Sequence, residues 1–358
     1  MIDRQFFQGK RICVVGAAGS FGRAAVDHLL AVSPAAIRAI DCDENGLFEL
    51  SSAYADGVEV RFCDIRCARS VSQVFAGIDI VVHAAALKHV SICESSPIDA
   101  VRTNIEGTMN VIEAARERGV GHVLLTSSDK AVHPTSAMGA SKLLGERLMV
   151  AANQDGGGPR FVTTRFGNVL GTRGSVVPIF RRQISRGERV TVRDARMTRF
   201  FMSLGEAATL VLDSLAHARG GEIFIMKMPV VRILDLAEVM IEELAELDHR
   251  DARSAGISFV GAQPGEKLHE ELMSAQEARA AIETATSFIL PAGRAVTSEL
   301  ALGYGGVPCP TTAATYGSGD ETPLSKHEIR ARLYEMGVLT AESTRGRARV
   351  AVSLEAMA

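Results

Sequence analysis

Residues 12–22 read ICVVGAAGSFG. A short apolar run ends in glycine. Gly16, Gly19 and Gly22 then follow at three-residue spacing, ahead of a stretch with helical periodicity, FGRAAVDHLLAV. In a strand–turn–helix unit that grips a dinucleotide, each glycine meets a separate demand. One makes the sharp turn, the next lets backbone approach a pyrophosphate, and the third lets helix and strand pack closely. The helix start then turns its amides and partial positive charge toward the anion. Glycine spacing alone is a weak signal. Directly after a strand and at the mouth of a helix, it predicts a dinucleotide-binding turn. Ser20 and Phe21, inside the turn, are expected to line the same cofactor.

The alternation continues outward. AIRAID (36–41), VEVRFCDI (58–65), DIVVHAAA (79–86) and HVLLTSS (122–128) read as further strands. Helical stretches separate them, TNIEGTMNVIEAARERG (103–119) being the clearest. Strands alternating with helices at this length predict a doubly wound parallel sheet, a Rossmann α/β arrangement. The strands are apolar because helices cover both faces. Asp41 ends the second strand about 20 residues past the last glycine, where a carboxylate bonds the adenine ribose hydroxyls and repels a 2′-phosphate. No arginine follows it directly, since Cys42, Asp43 and Glu44 come next. NAD is therefore expected rather than NADP. Asp64 and Ile65 are expected against the adenine. Ala84, Ala85 and Ala86 follow the fourth strand at the cofactor edge, and Lys88 lies there too, within reach of cofactor or sugar phosphates. His89 beside it reads as a packing or locally hydrogen-bonded residue.

After about residue 166 the pattern loosens. RFGNVLGTRGSVVPIFRRQI (165–184) is punctuated by glycine and then helical. VTVRDARMTRFFMSL (190–204) reads as strand, loop and strand. Two amphipathic helices follow at 204–218 and 233–247, and ISFVGAQPGEKLHEEL (257–272) reads as strand, Pro-Gly turn and helix. The expected division is a cofactor domain over 1–166, a smaller α/β substrate domain over 167–291, and a C-terminal extension over 292–358, with approximate boundaries across which strands can interleave. That extension is Gly-, Thr- and Pro-rich, and so reads as an extended tail with a short helix, SKHEIRARLYEMG (325–337).

Composition narrows the function classes. The chain has 358 residues, 47% hydrophobic and 23% charged, with a net charge of -3. That balance belongs to an ordinary globular protein and gives no basic surface for nucleic acid. No apolar run reaches the roughly 18–20 residues of a membrane span. The N-terminal residues lack a signal-peptide pattern, so a cytoplasmic protein without a membrane segment is expected. Cys13, Cys42, Cys63, Cys67, Cys93 and Cys309 match no zinc spacing. They read as reduced packing residues, with no metal site.

The chemistry concentrates in TSSDKAVHPTSAMGASK (126–142). A chain with this glycine turn should carry Tyr-x-x-x-Lys here. Lys142 is present, but the tyrosine position holds Met138, whose thioether has no proton to exchange. Together with HAAALKHV (83–90), TRFGNVLGTRGSVVPIF (164–180), MTRFFMS (197–203) and PGEKLHEEL (264–272), in that order, the chain resembles the UDP-N-acetylglucosamine 4,6-dehydratase family. This is a polysaccharide-biosynthesis group of extended short-chain dehydrogenases, and the resemblance covers roughly residues 8–290.

The resemblance implies a redox-neutral reaction. NAD+ takes hydride from C4 of the sugar, water leaves across C5–C6, and the hydride returns to C6. It implies that Ser128 binds the sugar 4-oxygen, Asp129 is the acid at the C6 oxygen, and Lys130 is the base at C5. It further implies that Lys142 holds the nicotinamide ribose and Asn104 supports the active-site backbone. Asn168, Arg199, Glu266 and Lys267 are implied to face the nucleotide diphosphate or base, with Arg165 and Thr198 nearby and Tyr316 as a cover. Met138 places the chain with the methionine branch of the family, whose members are associated with retention at C5 and are typically membrane-attached. The proton at C4 then falls to Asp129, Lys130 or water. Related 4-keto chemistry (5,6-elimination, C5 or C4 epimerisation) and a non-catalytic NAD-binding sensor are the alternatives. A homo-oligomer is expected, a dimer or larger, packed through the helices that carry Asn104 and Lys142.

Overall fold

The computed structural model describes residues 2–54, 57–153, 158–172, 174–247, 256–263, 265–293, 295–309 and 314–339. The chain forms two compact units and passes between them repeatedly. The first holds residues 1–167, 204–228 and 271–317; the second holds 168–203, 229–270 and 318–358.

The first unit is built on a ten-stranded sheet. β1 (Arg11–Val15), β2 (Ala36–Asp41), β3 (Val58–Phe62), β4 (Ile80–His83), β5 (His122–Ser128) and β6 (Arg160–Phe166) run parallel in the order 3-2-1-4-5-6. This is the doubly wound dinucleotide-binding order. The central strands are buried on both faces: Ile12, Val14, Val81, Val82, Val123 and Leu124 are sealed from solvent. β3 sits at the sheet edge, so Arg61 and Phe62 are exposed.

Beyond β6 the sheet does not stop. Ile223–Met226 adds a seventh parallel strand, and Ser287–Leu290, Ile282–Glu283 and Val307–Pro308 follow in antiparallel sense. Around the approximate boundaries expected at 166 and 291 the chain interleaves, with residues 204–228 and 271–317 in the first unit. The expected extended tail is folded as well. Part of it forms the edge strand Val307–Pro308 of this sheet, and the helix Lys326–Glu335 buries Ile329 and Leu333 in the core of the second unit. Ser325 and Glu328 close a reciprocal capping box that starts this helix.

In the second unit, Thr198–Met202 pairs antiparallel with Val230–Arg232 and parallel with Asn168–Val169. Val190–Val192 pairs parallel with Ile257–Phe259. Phe180, Val192, Phe201, Leu236 and Met240 fill the core between these strands and their helices. KLHEEL (267–272), expected as a helix, runs irregularly to Glu270, and Glu271–Met273 is a strand. The carbonyls of Lys267 and Leu268 accept from Arg199, and the Glu270 amide donates to Ser318 Oγ. Long-range partners thus take the backbone groups a helix would need. Cys13, Cys63, Cys93 and Cys309 are buried packing residues, whereas Cys42 and Cys67 are exposed, a departure from the packing role read for all six.

Candidate active site

Gly16 adopts φ +83, the left-handed region that glycine tolerates. A Cβ there would lie 2.5 Å from the Ala85 amide nitrogen, and one on Gly22 would lie 2.2 Å from the Gly16 carbonyl oxygen. The turn is thus packed directly on Ala84 and Ala85 and on the first turn of the helix Ser20–Leu30. Gly19 is the N-cap of that helix and has no side chain with which to cap it. The Phe21 ring stacks on Phe166, at the end of β6, with centroids 5.8 Å apart. Asp41 ties the turn to the end of β2. One of its oxygens accepts from the Ala18 amide at 3.0 Å, and the other from the amides of Cys42 and Asp43. A carboxylate has about four acceptor positions, so one remains for a ribose hydroxyl.

Asp64 is held by Arg66 through both oxygens, and these bonds keep its carboxyl below the usual carboxylate range. Arg66 was not anticipated from sequence. It enters from the loop after β3, and Asp64 balances its charge. Ile65 is buried against Gly107, where a Cβ would lie 2.7 Å from Ile65 Cδ1.

Asn104 lies in a π-helical turn, Val101–Glu106, that interrupts the run into the helix Gly107–Arg118. Such bulges recur at functional sites because they turn a side chain out of helical register. Here Asn104 clamps Leu87, accepting its amide proton at 2.8 Å and donating to its carbonyl at 3.0 Å. It also donates to Ser141 Oγ, which in turn donates to the Met138 carbonyl. One buried amide therefore fixes the loop after β4 relative to the helix Ala137–Ala152. Lys88 and His89, on that loop, are exposed. Partial burial and the charge of Lys88 hold the His89 imidazole below its ordinary pKa.

β5 runs out into Ser128 and a single 3-10 turn, Asp129–Ala131. Asp129 is 1% exposed. Its Oδ1 accepts from Ser128 Oγ at 2.6 Å and from Lys130 Nζ at 3.0 Å. Its Oδ2 is buried and has no hydrogen-bond partner among the described residues. Two residues before Ser128, the Thr126 carbonyl accepts from Lys142 Nζ at 2.6 Å. Lys142 is 9% exposed, and burial pushes its ammonium down to about 8 while Glu146 acts the other way. Ser136 caps the helix that carries Lys142 by accepting from the Gly139 amide. Met138, one helical turn before Lys142, is 3% exposed and packs in an apolar cluster with Cys93, Ala100, Leu87 and Val90.

The expected site residues of the first unit thus gather after the carboxyl ends of β1 to β5 and, for Asn104, on the π-helical turn that clamps the loop after β4. Those of the second unit form their own group. Arg199 is buried, and its guanidinium donates to the carbonyls of Thr198, Leu268 and Lys267, with the carboxylates of Glu266 and Glu270 at 3.9 and 3.8 Å. Its donors hold the 266–270 loop in shape. Glu266 also closes the turn by accepting from the Gln263 amide. Asn168 lies on the strand beside Phe201, and its side-chain oxygen is buried without a hydrogen-bond partner among the described residues. Thr198 bonds His269 and Ser318.

Two expectations change. Arg165, expected near the nucleotide-facing residues, has its donors taken within the first unit. It is fully buried at the end of β6, between Glu146 and Glu277. Tyr316 is buried rather than a cover, with its hydroxyl bonded to the Met228 backbone at both amide and carbonyl. Ser127, Ser141 and Glu146 were missed. Only Glu146 left a trace in the sequence, one turn after Lys142, where opposite charges meet on a helix.

Residues 12–292 match the family described as polysaccharide biosynthesis protein. An uncharacterized membrane protein of Methanocaldococcus jannaschii, MJ1061, is 41% identical over 93% of this chain and 98% of its own length. A UDP-N-acetylglucosamine 4,6-dehydratase (inverting) of Campylobacter jejuni is 38% identical over 77% of this chain and 81% of its own. The X-ray structure of Pen from Bacillus thuringiensis superposes with a TM-score of 0.87 at 38% identity, covering 94% of this chain and all of that one. Among the described residues, no helix is long and apolar enough to cross a membrane.

Proposed function

The chain belongs to the polysaccharide biosynthesis protein family, and we propose that it is an NAD-dependent nucleotide-sugar 4,6-dehydratase with UDP-N-acetylglucosamine as its substrate. One observation carries the reading: the buried Asp129 carboxylate, with one oxygen engaged by Ser128 and Lys130 and the other without a hydrogen-bond partner among the described residues. A buried acceptor left without a partner is costly, and such sites are found where a proton is to be moved. The name of the Campylobacter relative supports the reaction class.

The residues present fit NAD. Gly16 and Gly22 let the turn pack tightly on the Ala84–Ala85 backbone and on the helix start, Asp41 keeps an acceptor position for ribose, and Lys142 offers a buried cation. When bound, NAD supplies a hydride acceptor at the start of the cycle and the same hydride at its end.

The chain's own groups then divide the proton work. Ser128 Oγ, fixed against Asp129, holds the sugar 4-oxygen. Lys130 takes the C5 proton that a 4-ketone makes acidic. Asp129 delivers to the departing C6 oxygen the proton that the 4-hydroxyl gave up on oxidation, and Lys130 returns its proton to C5 as hydride reaches C6. Asn168 and the loop shaped by Arg199, with Glu266 and Lys267, supply remote binding energy to the nucleotide and diphosphate. Exposed Met109 and Leu144, on the helices Gly107–Arg118 and Ala137–Ala152, support packing of a second copy there.

Purified protein given UDP-N-acetylglucosamine with deuterium at C4 tests the reading by mass and NMR. Loss of water with deuterium recovered at C6 is the expected result. Deuterium kept at C4 in a dehydrated product overturns it in favour of 5,6-elimination. Unchanged mass with altered ring couplings means epimerisation, and retained NAD without turnover removes the catalytic reading altogether.

A further inference from the structure

Behind the Ser128–Lys130 turn lies a buried ionic network that the proton transfers above do not use. Glu146 is 1% exposed. Its Oε1 accepts from Ser127 Oγ at 2.5 Å and from Arg165 Nε at 3.0 Å, and its Oε2 from Arg165 NH2 at 2.6 Å. Arg165 also donates to both oxygens of Glu277 and to the Leu272 carbonyl. Ser127 precedes the residue that opens the catalytic turn, and Lys142 precedes Glu146 by one helical turn. A single carboxylate thus touches the catalytic strand and lies one helical turn from the residue that carries the buried ammonium.

We propose that Glu146 is a positioning residue for the reaction, fixing Ser127 behind the catalytic turn and keeping the Lys142 ammonium charged in its buried setting. This rests on the dehydratase reading only for its effect on turnover. Burial alone favours a neutral amine, and a carboxylate one turn away offsets that. The other groups around Lys142 do not replace it. His83 on β4 is fully buried and stays neutral, pushed down to about 3 by its own burial and by the Lys142 charge. Arg165 on β6 is a cation, and the Thr126 carbonyl on β5 has no charge. The Asp129–Lys130 pair on the turn after β5 carries one charge of each sign.

The test reads Lys142 directly. In protein labelled at lysine Cε, the Lys142 signal is assigned by its loss in Lys142→Arg and titrated without substrate. The midpoint is expected to fall by about one pH unit in Glu146→Gln. It should stay in place in Ser127→Ala, which removes a hydrogen bond and leaves the charge. The alkaline limb of turnover should move down with the midpoint in Glu146→Gln. If Glu146→Gln does not fold because Arg165 is left with Glu277 alone, Glu146→Gln/Arg165→Met removes both charges. A smaller downward shift is then expected. An unmoved midpoint in the folded variant overturns the proposal, whether or not the wild-type protein turns over the nucleotide sugar.

Discussion

Two buried charge clusters lie close together in the first unit and are satisfied to different degrees. In Glu146–Arg165–Glu277, all three guanidinium nitrogens of a fully buried arginine donate, and two carboxylates share them. In Ser128–Asp129–Lys130, a carboxylate buried as deeply keeps one oxygen without a hydrogen-bond partner among the described residues. Charges buried for architecture are completed, because an incomplete one costs several kcal/mol. One left incomplete points to chemistry. The sharpest break of this contrast is Asp129→Asn. Turnover is expected to fall by about 10³-fold, within the range of a lost acid–base group. The thermal midpoint should hold or rise, since a buried charge with too few partners is gone. Steady-state rates and calorimetry on one preparation check both, and near-normal turnover would sink the assignment of Asp129 as proton donor.

The opposite behaviour is expected of Arg165→Met. Removing the shared cation leaves Glu146 and Glu277 facing each other, at a cost of about 3–5 kcal/mol. Urea unfolding measures it through the transition midpoint. The contrast fails if Asp129→Asn costs more stability than Arg165→Met does.

The same difference explains what could be read from the sequence. The Rossmann half was legible because its signals are local: glycines that need a positive φ or close approach, and apolar runs such as ICVV and IVVH, each followed by helical periodicity. IFIM (223–226) and SFIL (287–290) are as apolar, but what makes them part of the first sheet is pairing with β6 and with each other, far apart in sequence. No local period carries that information. At the site, Asp129, Lys130 and Lys142 stood out as a compact motif. Arg165 and Arg199 were read toward the substrate because an arginine's partners do not show in its neighbours. The structure places their donors on Glu146, Glu277 and the 267–268 carbonyls. Tyr316 was misread for the same reason, since the Met228 backbone that takes its hydroxyl lies 88 residues away.

The smallest effect is expected at Met138, where a tyrosine is expected from the sequence. Met138 points into an apolar cluster with Cys93, Ala100, Leu87 and Val90, one side of which is the loop that Asn104 clamps. Met138→Tyr adds a larger ring and a hydroxyl to that packing, at an expected cost of about 1–3 kcal/mol. If Asp129 or Lys130 already serves the 4-hydroxyl, the new phenol has no vacant task. Turnover per folded molecule should then stay far below the ~100-fold gain that a working general base confers. Rates across pH, normalised to folded protein, decide it. A gain on that scale would show that the phenol reaches the 4-hydroxyl and that the turn at Asp129 had not been supplying the base. The incomplete carboxylate would then need another explanation, and Asp129→Asn in the Met138→Tyr background would show whether its proton is still required at C6.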